Sequence, residues 1–191
     1  MALDRGTIHA FISAPPGLFF VNTPSAVAVD LGCAFTLEVD DTGAALLRVI
    51  VGWVGFEWQR RESFIPAMAA CRTRPGQGPG TPYYIDADPD LQSALRRYDE
   101  QSVLVDLQTV LDKARPRDGL TLWHLIARTS GVDKARIVDR MMVLVPLPEG
   151  VTREGILAGN RAMYDRWWTA LGLGDTDLWR WWTNKGPLQV K

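Results

Sequence analysis

The sequence predicts an α+β protein, with an all-β amino-terminal domain followed by an antiparallel α-helical region. Three observations carry this. The segments Val27-Ala28-Val29-Asp30-Leu31, Phe35-Thr36-Leu37-Glu38-Val39 and Leu47-Arg48-Val49-Ile50-Val51 alternate, so their larger apolar residues fall on one face of a strand. Residues 74–82 hold three glycines and three prolines, a composition that supports neither a helix nor a central strand. After Asp88, apolar residues recur at helical spacing between cap signals. The domains expected are therefore 1–74 (β), a Pro/Gly-rich linker over 75–87, and 88–191 (helical).

Within the β region, Asp40-Asp41-Thr42-Gly43 reads as a hairpin turn, because Asp and Gly tolerate positive φ at low cost. Ala14-Pro15-Pro16-Gly17 and Thr23-Pro24-Ser25 read as loops. Gly32 and Gly52 fall where a strand pattern pauses, which marks bulges or tight bends. Seven or eight short strands are expected, as a sandwich, a roll or a compact β-solenoid. Periodicity does not choose among these.

In the helical region, Asp88 caps and Pro89 takes the first helical position. Leu91, Leu95 and Tyr98 then share a face. Val103, Leu104, Leu107, Val110 and Leu111 form the next apolar series, which Pro116 ends. Leu122, Trp123, Leu125 and Ile126 follow, closed by Ser130-Gly131. Asp133 is expected to cap the next helix, and Thr152 a longer one running to Leu171. A last short helix is expected near residues 176–182. Short Pro/Gly connections between helices of this length imply antiparallel pairs.

The 191-residue chain suits one domain of moderate size or two small ones. Its formal net charge is -1, from 21 basic and 22 acidic residues, so it lacks the basic excess of a nucleic-acid binder. Arg60-Arg61 and Arg72/Arg74 read as solvated strand ends. No apolar run is long enough to cross a bilayer, and the first residues do not read as a signal peptide. The strand pattern starts almost at once, which reads as a piece cut from a longer protein.

The two histidines, His9 and His124, show no metal-ligand spacing, so no metal or cofactor is expected. There is no nucleophile elbow, and Cys33 and Cys71 carry no catalytic signature. The two cysteines read as buried thiols, with a single disulfide as the alternative. Glu38, Asp40, Asp41, Glu57 and Glu62 read as charged surface. Glu57 or Glu62 with His124 is the one combination that would suit an acid–base enzyme.

The tryptophans stand out: eight in 191 residues, five of them after residue 166. Neighbouring tryptophans on a helix point in different directions, so core packing is not expected to absorb them all. Trp167, Trp179 and Trp182 are the candidate interface residues, with protein as the partner. The alternative is a small-molecule or glycan-binding module that uses the same aromatics.

The amino-terminal half resembles the FecR domain. The residues that carry the likeness are Gly6-Thr7-Ile8-His9-Ala10, Phe20-Val21-Asn22-Thr23-Pro24-Ser25-Ala26, Val29-Asp30-Leu31-Gly32-Cys33-Ala34-Phe35-Thr36-Leu37, and Leu47-Arg48-Val49 leading to Gly52-Trp53-Val54. They follow the family order of an F-x-V-x-T-P strand, a G-T/C-x-F-x-V strand and a closing V-x-x-G-x-V strand. The resemblance implies a β-rich, non-catalytic sensing module of a cell-envelope regulator. It also implies a periplasmic location, with membrane contact only through an upstream anchor outside this chain.

Overall fold

The computed structural model describes residues 1–13, 17–59 and 61–174. They form two compact units, Met1–Pro79 together with Gly174, and Gly80–Leu173.

The first unit is all-β. Strands β1 (Gly6–Phe11), β4 (Ala34–Val39), β5 (Ala45–Val51) and β8 (Ala69–Arg74) form one sheet in the order β1-β4-β5-β8, with β9 (Gly78–Pro79) paired to β8. Strands β2 (Phe20–Asn22), β3 (Val27–Asp30), β6 (Trp53–Trp58) and β7 (Arg61–Pro66) form a second sheet in that order. All these strand pairs are antiparallel, which removes the solenoid from the three options and leaves a two-sheet fold.

The alternation read from the sequence is what builds the core. Leu37 pairs with Ile8 on one side and with Leu47 on the other, and Leu47 pairs with Cys71. Leu37, Leu47 and Cys71 are fully buried. Val21, Val54, Phe56 and Ile65 bury one face of the second sheet, and Val29 and Phe64 are buried on its other face. Burying a side chain of this size contributes about 1.5–3 kcal/mol. Between these rows lie polar positions such as Thr36, Arg48 and Glu38, and Arg48 pairs with Glu38 at 3.0 Å.

The turns use the residues expected of them. Gly43 has φ 80, and Asp40 Oδ1 accepts from Thr42 N (2.8 Å) and Ala44 N (3.1 Å). The Thr42 hydroxyl donates to the same oxygen and, with those amides, holds the Asp40 carboxyl below its ordinary range. Inside the unit, the buried hydroxyls of Ser25 and Thr73 bond to each other, and Thr73 Oγ1 also accepts from Ala45 N (2.8 Å). This satisfies a backbone donor at the start of β5.

Met68, in the β7–β8 hairpin, holds φ 64, a left-handed conformation that costs an unbranched L-residue about 1 kcal/mol. Met68→Gly is expected to raise the stability of this unit by about 0.5–1 kcal/mol. A denaturant midpoint at or below that of the parent would contradict this.

The Pro/Gly stretch is not a plain linker. Gly78 and Pro79 pair with Arg74 and Thr73, and Arg61 Nε donates to Pro79 O at 2.7 Å. Gly78 has φ 75, and a Cβ there would lie 2.5 Å from Trp58 Cβ. The β unit thus extends to Pro79, five residues beyond the Arg74 boundary expected.

The second unit is helical: α1 (Pro89–Gln101), α2 (Leu104–Lys113), a 3-10 turn at Pro116–Asp118, α3 (Gly119–Arg128), α4 (Gly131–Leu144), α5 (Arg153–Leu157) and α6 (Arg161–Ala170). Asp88 caps α1 by accepting from Asp90 N (2.8 Å). Leu91, Leu95 and Tyr98 are buried on one face.

Two helix boundaries differ from expectation. Helix α4 begins at Gly131 with Ser130 at its N-cap. Asp133 sits in the first turn, where a carboxylate favours the helix N-terminus, and accepts the Tyr98 hydroxyl at 3.4 Å. The long helix expected from Thr152 to Leu171 is two. Thr152 caps α5, but Gly159 takes φ 77 and Asn160 caps a new helix by accepting from Met163 N (3.2 Å). A left-handed glycine followed by a capping Asn stops one helix and starts the next. The short helix expected near 176–182 lies outside the described residues.

Candidate functional site

The helical unit gathers Trp123, His124, Tyr164 and Trp168 into one cluster. Trp123 and His124 of α3 meet Tyr164 and Trp168 of α6, with ring centroids 4.7 Å apart for Trp123–Trp168 and 5.8 Å for His124–Trp168. Trp123 Nε1 donates to Tyr164 O (3.1 Å), and burial pushes the Tyr164 hydroxyl up to about 12.

Trp167, expected at an interface, is fully buried, and its Nε1 donates to Val145 O at 3.3 Å. Trp168, its neighbour, is also fully buried. Adjacent tryptophans do diverge, but α6 is covered on two sides, by the end of α4 and by α3. Both rings therefore go to core. Trp179 and Trp182 lie outside the described residues, as does Arg60.

His124 is no acid–base catalyst near neutral pH. Burial, followed by the charge of Arg128, pushes it down to about 3. Its Nδ1 lies 2.8 Å from Leu120 O, an atom that can only accept, so Nδ1 carries the proton. Glu57 and Glu62 stand opposite each other across β6 and β7. They belong to the β unit, and His124 to the helical one. Asp41 pairs with Arg5 at 2.8 Å on the surface. His9 is exposed and shares a 3.0 Å hydrogen bond with the Thr36 hydroxyl. Arg74 contacts Gln77 at 3.4 Å. Among the described residues no three metal-donor side chains come together.

Both cysteines are buried thiols rather than a disulfide. Cys71 packs in the core row, as a small apolar group would. Cys33 does more: its thiol donates to Asp30 Oδ1, which also accepts from Gly32 N (3.2 Å). Burial and the Asp30 carboxylate raise the thiol above its ordinary range. A thiol held protonated in this way is a poor nucleophile.

The second unit carries a dense ion-pair network around its lead-in. Asp118, fully buried, accepts from Arg115 Nε (2.9 Å), and Asp86 binds both Arg115 (3.3 Å) and Arg117 (3.1 Å). The Arg117 guanidinium lies 4.0 Å over the Tyr84 ring. Burial of Asp86 is outweighed by these arginines, which hold it below the ordinary carboxylate range. Thr81 donates both N–H (2.6 Å) and hydroxyl (2.7 Å) to Asp99. These groups neutralise one another and tie residues 81–86 to the helices.

What remains open is apolar. Arg136 of α4 bonds Gln108 of α2, and Arg140 bonds Leu111 O (2.8 Å) and Ala114 O (3.0 Å). The pairs advance together, so α2 and α4 run parallel and their N-terminal ends lie side by side. One turn before Gln108 and Arg136 stand Leu104 and Val132, flanked by Val103 and Val105. Leu104, Val105 and Val132 are each more than half exposed. Neither Val103 nor Ser130 offers a side-chain cap to the helix it precedes. Helical spacing groups Leu104 with Leu107 and Leu111, but the structure leaves Leu104 exposed beside Val105 and Val132. The signal was present: three consecutive apolar residues at a helix start cannot all face one core.

Comparison with protein-family models, with curated proteins and with solved structures finds no match to this chain. The class is set by the fold alone: an α+β protein with antiparallel sheets first and helices after.

Proposed function

We propose that this protein is a non-catalytic sensing and interaction module with a protein partner, of the kind found in FecR-type cell-envelope regulators and acting on the periplasmic side. The observation that carries the reading is the open apolar end of the helical unit, where Leu104, Val105 and Val132 crown two parallel helices. An exposed apolar cluster of this kind is what a protein interface uses at its centre. The strand motifs shared with the FecR domain support the envelope context.

The full chain, immobilised against a cell-envelope extract, is expected to retain a saturable protein partner. Leu104→Ser/Val132→Ser is expected to lower its recovery at least fivefold. Unchanged recovery would remove the contact surface assigned here, and no saturable partner would remove the function.

A further inference from the structure

The first sheet ends on β1, which pairs only with β4 among the described residues. Ile12 N donates to Cys33 O at 3.0 Å, one step beyond the Phe11–Ala34 pair. Hydrogen bonding alternates along an antiparallel pair, so Ile8 and Ala10 also turn their backbone groups toward β4. Thr7, His9 and Phe11 turn theirs to the open edge. The side chains of these three are exposed, and those of Ile8, Ala10 and Ile12, on the other face, are half-buried.

Folded proteins guard such an edge with a charge, a proline, a bulge or a covering segment. The second sheet has that cover. Asn22 N donates to Met1 O and Leu3 N to Asn22 O, both at 2.9 Å, along the outer side of β2. Strand β1 has none of these devices. Residues 6–13 hold no charged residue and no proline, and the β1–β4 register runs without a shift.

The edge is complementary to itself. Thr7-Ile8-His9-Ala10-Phe11-Ile12-Ser13 reads nearly alike in both directions about Ala10: Thr against Ser, Ile against Ile, an imidazole against a phenyl ring. In an antiparallel pair with a second copy, related by a two-fold axis at Ala10, His9 stands opposite Phe11 and Thr7 opposite Ser13. Each such pair exchanges both of its backbone hydrogen bonds. On the other face Ile8 meets Ile12, and the two Ala10 residues meet at the closer, non-hydrogen-bonded spacing, which a small side chain suits. Phe11, 81% exposed, gains an aromatic neighbour. No like charges are opposed. Such self-complementarity is what a two-fold interface requires.

We propose that two copies of this chain pair through β1, antiparallel about Ala10, and join their first sheets into one. A single strand on each side is far short of the roughly 20–30 residues of a standard interface, so the dimer is weak, with a dissociation constant in the micromolar range. The inference does not rest on the partner reading above, which concerns the helical unit.

Sedimentation of the full chain is expected to show a reversible shift from 21.3 kDa toward twice that mass as concentration rises. The range from about 1 to about 500 μM brackets the affinity expected. A monomer throughout overturns the proposal. Phe11→Lys, at an exposed position, is expected to weaken the dimer at least tenfold, and Leu104→Ser/Val132→Ser to leave it unchanged. An unaltered dimer in the first variant, or a lost one in the second, overturns it. Cysteines read the register. Under mild oxidation Ala10→Cys is expected to form a disulfide-linked dimer and Thr7→Cys is not, because Thr7 faces Ser13 of the other copy. Cys33 and Cys71 are buried and do not compete. Equal cross-linking at positions 7 and 10, or none at 10, would sink the proposed pairing.

Discussion

Gly52→Ala is expected to destabilise the β unit by about 3–5 kcal/mol, a large share of the 5–15 kcal/mol typical of a folded domain. Gly52 carries the chain from β5 in one sheet to β6 in the other, at φ 75. A methyl group there would sit 1.9 Å from Gly32 O, 2.9 Å from Gly32 C and 3.0 Å from Cys33 Cα. These are backbone atoms, so no side chain can swing aside. The left-handed conformation adds about 1–2 kcal/mol for any L-residue. Gly32→Ala is the control. Gly32 is also left-handed, at φ 88, but a Cβ on it meets nothing within 4 Å. It is expected to cost only about 1 kcal/mol. Urea denaturation of both variants measures the difference. Equal losses would mean that the close approach of the two glycine segments is not what holds this crossing.

The second large effect is a pH dependence in the helical unit. His124 is buried and neutral when folded, pushed down to about 3, against an ordinary value of 6.5. Between those limits the unfolded chain binds a proton that the folded chain does not. Stability from the neutral imidazole is therefore fully present above pH 6.5 and falls as pH drops below it. The slope for one such group approaches 1.4 kcal/mol per pH unit. From pH 7 to pH 5 the loss is expected to be about 2 kcal/mol, and His124→Gln is expected to abolish most of it. The carboxylates with lowered values, Asp40, Asp86, Asp88 and Asp139, start from 3.8 and lose their contribution at lower pH. They do not confuse the window. Urea midpoints of both proteins at the two pH values provide the measurement, and parallel losses would exclude His124 as the source.

Much of the fold was legible in the sequence. Period-two alternation in 27–31, 35–39 and 47–51 placed three strands, because one face of each is buried and the other is not. Asp88-Pro89 placed the start of α1 through local capping chemistry. The failures share a cause: they depend on contacts between distant segments. Whether a Pro/Gly stretch leaves the domain or pairs with its edge is decided by Trp58 and Arg61, not by its own composition. A helical pattern from 152 to 171 has the right apolar spacing throughout, and only the geometry of Gly159 and Asn160 breaks it. The burial of Trp167 beside Trp168 needed the knowledge that α6 is covered twice. The open backbone groups of β1 depended on strand register, and the open end of α2 and α4 on a parallel neighbour.

The placement of the two thiols gives the molecule an internal clock. Cys33 and Cys71 are the only cysteines, and both belong to the β unit. Each is shut away from solvent in the native state, Cys71 in the core row and Cys33 against Asp30. A thiol reagent can reach them only when that unit opens. Modification rates therefore count the openings of the sheets and ignore those of the helices, which have no thiol to report. One chain thus allows the opening of one unit to be timed without cutting it from the other.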